Sequence, residues 1–93
     1  MNAYRVLGLH DGASIEAVRS AYRALARRHH PDAVGGCHET FLLVQAAYRV
    51  LTDPDERTRH ALDPDATLKN SLAAEQRRAQ LSRRRSRLRR LYD

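Results

Sequence analysis

The chain has 93 residues, a formal net charge of +6, and a composition of 42% hydrophobic and 30% charged residues. This length allows one small domain and excludes a large multidomain enzyme, and the composition argues against wholesale disorder. No apolar run of about eighteen residues is present, and the N-terminus shows no secretory signal, so we expect neither a membrane span nor export. Cys37 is the single cysteine, which excludes an intramolecular disulfide and favours a cytoplasmic protein.

Charge divides the chain into two parts. Residues 1–63 carry eight basic and eight acidic side chains, whereas residues 64–93 carry nine basic and three acidic ones. Such asymmetry is typical of a neutral folded unit followed by a basic appendage. We therefore predict a domain over 1–63 and a basic helical extension over 64–93.

The spacing of apolar residues predicts a helix over 15–29. Ser14 suits its N-cap, and Pro31 disfavours helical backbone at the residue before it, so the helix should end near His29 or His30. Apolar side chains recur in this segment with spacings of three, four and three, at Ile15, Val18, Tyr22 and Leu25.

A second helix is predicted over about 38–52, after a short loop that contains Gly35 and Gly36. Two such helices with a short connection form an antiparallel hairpin, and a short leading helix at about 2–7 can close one end of it. The same three-four-three spacing recurs in the second helix, at Phe41, Val44, Tyr48 and Leu51.

Two Asp-Pro pairs predict further helix starts. Asp53 can cap a short helix from Pro54 to about residue 61, and Asp63-Pro64 repeats the device before a segment, 66–91, without glycine or proline. No strand pattern is present, so the predicted class is all-α: a helical hairpin with short flanking helices and a basic C-terminal helix. That last helix has no continuous apolar stripe, so we expect it to add little to the core. Whether it bends, touches the domain with its first half only or binds a partner with its second half is left open.

The most informative residues are His30-Pro31-Asp32. Proline stiffens the exit from the preceding helix and holds an imidazole and a carboxylate at a loop. A rigid acidic loop beside a basic helix is a recognition surface with both signs of charge, which sets orientation and encounter rate. The preceding helix carries four arginines: Arg19, Arg23, Arg27 and Arg28.

These residues resemble the J-domain, the defining module of DnaJ-like co-chaperones, and the resemblance covers about 1–63. His30-Pro31-Asp32 is similar to the family's signature tripeptide. The other matching motifs occur in the family's order, as Tyr4-Arg5-Val6-Leu7-Gly8-Leu9, Ala21-Tyr22-Arg23 with Leu25-Ala26, Phe41, Ala47-Tyr48 with Val50-Leu51, and Asp53-Pro54.

The resemblance implies a four-helix fold with an antiparallel hairpin. It also implies that the chain binds a DnaK-type, seventy-kilodalton heat-shock chaperone and stimulates that partner's ATP hydrolysis. Asp32 would be the least replaceable residue, because its carboxylate engages a cationic group on the chaperone. Ser20 and Ala24 stand where the family often has basic residues. The implied contact residues are His30, Pro31, Asp32, Arg19 and Arg23, with Tyr22 and Arg28 as weaker candidates.

Two other chemistries receive little support. The spacing of His29, His30, Cys37 and His38 matches no common zinc pattern, so we expect no metal or cofactor. Asp32 and His30 could suggest acid–base catalysis, but neither a nucleophile nor oxyanion donors accompany them, so we expect no enzyme.

The basic extension admits four interpretations: a solvated helix, a contact for an acidic protein surface such as the chaperone itself, a nucleic-acid contact, or an anionic-membrane contact. Tyr92 is its one aromatic residue, which disfavours sequence-specific RNA recognition. The alternative function is therefore a polyanion-binding or protein-interaction module on a J-like scaffold. We expect a monomer without a membrane span. The candidate contacts are Arg77, Arg78, Arg83, Arg84, Arg85, Arg87, Arg89 and Arg90.

Overall fold

All regular structure in the described part of the chain is helical, which confirms the all-α prediction. The computed structural model describes residues 1–30 and 35–92, with side chains for 1–30 and 35–81. None of the helices in these ranges is both long enough and apolar enough to cross a bilayer. The five helices of the described residues are α1 (Ala3–Val6), α2 (Ile15–His29), α3 (His38–Thr52), α4 (Pro54–Leu62) and α5 (Pro64–Tyr92).

The ends of α2 follow from local chemistry. The Ser14 hydroxyl accepts a hydrogen bond from the Ala17 N–H at 3.2 Å, which satisfies one of the free donors of the first turn. At the other end His30 has extended backbone (φ −55°, ψ 139°), as expected for a residue that precedes proline. Helix α2 therefore begins and ends where the sequence predicts.

Asp53 joins α3 to α4 within a single residue. Its carboxylate accepts hydrogen bonds from the N–H groups of Asp55 at 2.9 Å and Glu56 at 3.2 Å, which caps α4. Its own N–H donates to the Arg49 carbonyl at 3.0 Å, which closes α3. The Glu56 side chain therefore cannot complete a reciprocal capping box with the Asp53 N–H.

Two ring contacts show that α2 and α3 form the predicted antiparallel hairpin. The rings of Tyr22 and Tyr48 stack with centroids 4.0 Å apart, and the His30 ring meets the Phe41 ring edge to face at 5.4 Å. Residue numbers rise along α2 while they fall along α3, so the helices run in opposite directions. We call the end where α2 finishes and α3 starts the loop end of the hairpin.

Helix α3 lies at the centre of the fold and packs against each of the other four helices. A helix that is apolar on several sides has to be covered on several sides. Its buried residues point toward different neighbours and form most of the core: Leu42, Val44, Ala46, Ala47, Val50 and Leu51.

The first half of α5 belongs to this core. Leu68 is 3% exposed and lies in the same cluster as Val44 and Val50. The Ser71 hydroxyl donates a hydrogen bond to the Ala46 carbonyl at 3.2 Å, which ties α5 directly to α3. The expectation that the last helix adds little to the core is therefore wrong for this half. The division into a domain over 1–63 and a basic helical extension over 64–93 stays a prediction.

Leu68 and Leu62 provide a matched test of this packing. We expect Leu68→Ala to lower the free energy of unfolding by roughly 2–4 kcal/mol, because it leaves a cavity in the core. Leu62 is 84% exposed, so Leu62→Ala should change it by less than about 0.5 kcal/mol. Urea denaturation, monitored by circular dichroism, measures the free energy of unfolding of both variants. Equal stabilities of the two variants would contradict the placement of α5.

His60 links α4 to the start of α1. The side chain is buried, its Nε2 accepts a hydrogen bond from the Ala3 N–H at 3.0 Å, and its ring lies edge-on to Tyr4 at 5.8 Å. Burial lowers the pKa of His60 below its ordinary value of 6.5, and the nearby Asp11 carboxylate opposes this only in part. The fold therefore requires neutral His60. If Nε2 were protonated, its hydrogen would point at the hydrogen of the Ala3 N–H, and the hydrogen bond would be lost.

This histidine should make stability depend on pH. The folded pKa lies below the unfolded one, so the contribution is fully present above about pH 6.5 and is lost as the pH falls below that value. His60→Gln keeps an acceptor and removes the titration, so the loss of thermal stability between pH 7.5 and 5.5 should shrink. His10→Gln is the control, because His10 is exposed. Thermal unfolding curves with the same pH dependence for both variants would refute this role.

Candidate functional site

Two exposed arginines, Arg19 and Arg23, lie on one side of α2. They are four residues apart, which places them about 40° apart around the helix axis. Neither forms an ion pair with any residue of the described ranges. Arg27, four residues further on, extends the same row. We call Arg19, Arg23 and Arg27 the basic row of α2.

Arg28 does not belong to the basic row. It follows Arg23 by five residues and Arg19 by nine, which places it about 140° and 180° from them around the axis. It is exposed, but on the other flank of the helix. The four arginines of α2 therefore divide into a row of three and one separate charge, and a role for Arg28 in partner binding stays a prediction.

Tyr22 lies next to the basic row and also packs against α3. Its ring stacks on Tyr48 at an interplanar angle of 13°, and both side chains are half-buried. The same two rings line an open groove of about 340 Å³ together with Arg49 and Glu75. Tyr22 thus holds α2 in place and still presents one edge to the surface, so both roles considered for it are compatible with the geometry.

His30 is fixed at the loop end of the hairpin. It is exposed as a residue, yet its ring rests on the Phe41 ring at an interplanar angle of 68°. This contact holds the point at which the chain leaves α2. Pro31 and Asp32, which complete the tripeptide, lie outside the described residues, and their predicted contacts stay predictions.

Sequence analysis missed a buried carboxylate that lines this groove. Glu75 is 7% exposed, and its Oε1 lies 3.1 Å from Arg49 Nε on α3 and 2.9 Å from Arg78 Nη1 on α5. Two arginines therefore compensate a charge that would otherwise be costly to bury. The one available signal was that Glu75 is the last acid before Asp93 in a basic segment.

The basic extension is described in part. Arg77 and Arg78 are exposed, and Arg78 pairs with Glu75. The other candidate contacts from Arg83 to Arg90 have side chains outside the described set, so the predicted polyanion contacts stay predictions. Within residues 1–30 and 35–81, no three His, Cys, Asp or Glu side chains come together as metal ligands.

Comparison with known proteins gives a consistent result. The DnaJ domain family model matches residues 2–61. The chain is 42% identical over 57 residues to "Chaperone protein DnaJ" of Tropheryma whipplei, covering 61% of this chain and 16% of that protein. It is 42% identical over 76 residues to "DnaJ homolog subfamily C member 21" of Bos taurus, covering 77% of this chain and 14% of that protein.

The chain thus spans about one sixth of the length of the curated relatives it matches. A third relative, "Chaperone protein DnaJ" of Crocosphaera subtropica, is 44% identical over 59 residues, covering 61% of this chain and 16% of that protein. No solved structure matches the chain significantly.

The contact between His30 and Phe41 can be tested by NMR. Phe41→Leu removes the aromatic ring but keeps an apolar side chain, so the ring protons of His30 should shift while those of the distant, exposed His10 should not. Phe41→Tyr keeps the ring and should leave the His30 signals nearly in place. Unchanged His30 signals in Phe41→Leu would show that the imidazole does not rest on α3 in solution.

Proposed function

Because the chain belongs to the DnaJ domain family, we propose that it binds a DnaK-type, seventy-kilodalton heat-shock chaperone and stimulates that partner's ATP hydrolysis. The observation that carries the proposal is the basic row of α2, which is exposed and forms no ion pair with any described residue, on the helix that leads directly into His30-Pro31-Asp32. The catalytic groups belong to the partner, and this chain supplies none.

The basic row supports contact with an acidic surface. Arg19 and Arg23 form no ion pair with the acids of the described ranges, so binding does not first have to break such a pair. Charges at the edge of an interface act mainly on orientation and on the association rate, and both effects weaken as salt is added. The row is therefore suited to guide the partner onto α2.

A fixed exit from α2 supports a specific role for Asp32. The ring of Phe41 holds His30, and the pyrrolidine ring of Pro31 fixes its own φ. Both restraints precede Asp32 in the chain. A restraint that exists before binding lowers the conformational entropy that binding costs, which is the benefit of preorganisation.

Stimulation requires preferential binding to one state of the partner. The chain would favour the conformation of the chaperone that is competent for hydrolysis, and a tenfold rise in turnover corresponds to about 1.4 kcal/mol of preference. Such an amount lies within the range of coupling energies between sites. We propose the cytoplasm as the place of this encounter, in keeping with the lone Cys37.

Steady-state ATP turnover by purified DnaK-type chaperones tests the proposal. Wild-type protein should raise turnover, and Asp32→Asn, which keeps the shape and removes the charge, should abolish the rise. Arg19→Gln with Arg23→Gln should shift half-maximal stimulation to at least about tenfold higher concentration, since charge-assisted contacts contribute about 1.5–3 kcal/mol each when fully formed.

Arg28→Gln is the control for the geometry of α2. It removes a charge from the same helix but from the other flank, so its effect should be smaller than that of either single change in the basic row. The proposal fails if Asp32→Asn stimulates as well as wild type across several chaperones of this class.

A further inference from the structure

Four side chains with polar groups lie on one side of the second half of α3. Their positions differ by three or four residues, a spacing that brings side chains onto a common face of a helix. This face lines the open groove of about 340 Å³, whose other lining residues are Tyr22 on α2 and Glu75 on α5. The four positions on α3 are Gln45, Tyr48, Arg49 and Thr52. The groove, which we call the tyrosine groove, therefore lies where α2, α3 and α5 meet.

A buried carboxylate holds Arg49 in place at the tyrosine groove. The Arg49 side chain is half-exposed, and its Nε lies 3.1 Å from Oε1 of Glu75, whose side chain is only 8% exposed. The same Oε1 accepts a hydrogen bond from Arg78 Nη1 at 2.9 Å, so Glu75 is itself held on a second side. A guanidinium has five N–H donors, and within the described ranges that of Arg49 has no other ion pair and donates no hydrogen bond. Its Nη groups therefore remain available for a ligand.

The three charges at this point do not cancel. Arg49 and Arg78 pair with the single carboxylate of Glu75, so one positive charge remains uncompensated. A carboxylate carries one negative charge, whereas a phosphate monoester carries about 1.5 to 2 at neutral pH. The planar guanidinium also matches the two oxygens of a carboxylate, with which it forms paired hydrogen bonds. Charge therefore favours a ligand with a single carboxylate, and shape is compatible with it.

The tyrosine rings give the groove an apolar surface next to this charge. Tyr22 and Tyr48 stack on each other and stay half-buried, so each still exposes part of its ring. An apolar side chain next to the bound carboxylate can cover these rings and remove them from water. A second open groove of about 420 Å³, beside Leu43 and Leu72, has an apolar surface but no positive charge in its lining. The tyrosine groove therefore combines two features that the second groove does not.

The open shape of the groove favours a peptide over a small molecule. Small ligands bind in pockets that bury most of their surface, which an open groove cannot do, whereas a peptide can extend beyond the groove and place two side chains in it. We propose that the tyrosine groove binds an acidic peptide segment, which places one Asp or Glu carboxylate on Arg49 and a neighbouring apolar side chain on Tyr22 and Tyr48. The site goes beyond the proposed function and does not depend on it, since it requires no chaperone.

NMR titration of the full chain with blocked pentapeptides tests the site. The probe carries aspartate between leucine and phenylalanine, in both orders, and its acetylated and amidated ends leave that carboxylate as its only charge. It should shift the signals of the Gln45 side-chain amide and the Arg49 Nε–H saturably, with a Kd in the millimolar range or tighter. The matched peptide with asparagine should bind at least about tenfold more weakly, because it lacks the charge. A peptide with glycine in place of both apolar residues should bind at least about threefold more weakly.

Arg49→Lys and Arg57→Lys are the matched protein variants. Lysine keeps a positive charge beside Glu75 but lacks the planar fork, so Arg49→Lys should weaken binding of the aspartate peptide at least about fivefold. Arg57 is exposed on α4 and forms no ion pair with a described residue, so the same change there should leave the Kd unaltered. Circular dichroism of both variants confirms that the helices are intact.

Several results would overturn the inference. Equal affinity for the aspartate and asparagine peptides, or equal affinity of the two protein variants, excludes recognition of a carboxylate by Arg49. The absence of saturable shifts at Gln45 and Arg49 excludes an acidic peptide as the occupant. Inorganic phosphate that shifts the same signals at lower concentration than the peptide indicates a general anion site. Shifts of these signals on dilution of the protein alone indicate that a second copy of the chain occupies the groove.

Discussion

The fold depends on covering α3 from several sides at once. Its sequence is apolar around most of the helix, so neither α2 alone nor α5 alone can remove its side chains from water. Helix α2 covers one side through stacked rings, α5 covers another with Leu68 and Ser71, and α1 and α4 close the rest. The packing that covers α3 therefore also fixes which side of α2 faces the solvent.

That arrangement separates structural residues from residues that are free to interact. On α2, Tyr22 and Val18 face the core, and the basic row lies on the solvent side, where it forms no ion pair with the described residues. On α5, the buried Glu75 binds Arg78 of the same helix and Arg49 of α3. The outer side of α2 thus carries positive charge that no described acid neutralises.

Helix boundaries and family membership were accessible from the sequence because both depend on local patterns. Ser14, Asp53 and the residue before Pro31 act through hydrogen bonds or steric effects within a few residues, so their consequences need no tertiary information. The contribution of α5 was missed for the opposite reason. Its docking face includes Ser71 and Glu75, polar residues whose partners, the Ala46 carbonyl and Arg49, are supplied by a different helix.

The amino-acid sequence by itself determined the helices, their order, the charged appendage and the His-Pro-Asp motif, because spacing, capping and composition act over short distances along the chain. Only the tertiary structure decided that α5 joins the core through Leu68 and that His60 is buried neutral against the Ala3 N–H. These features depend on which helices meet and at what register, and that choice is made by packing over long separations in sequence.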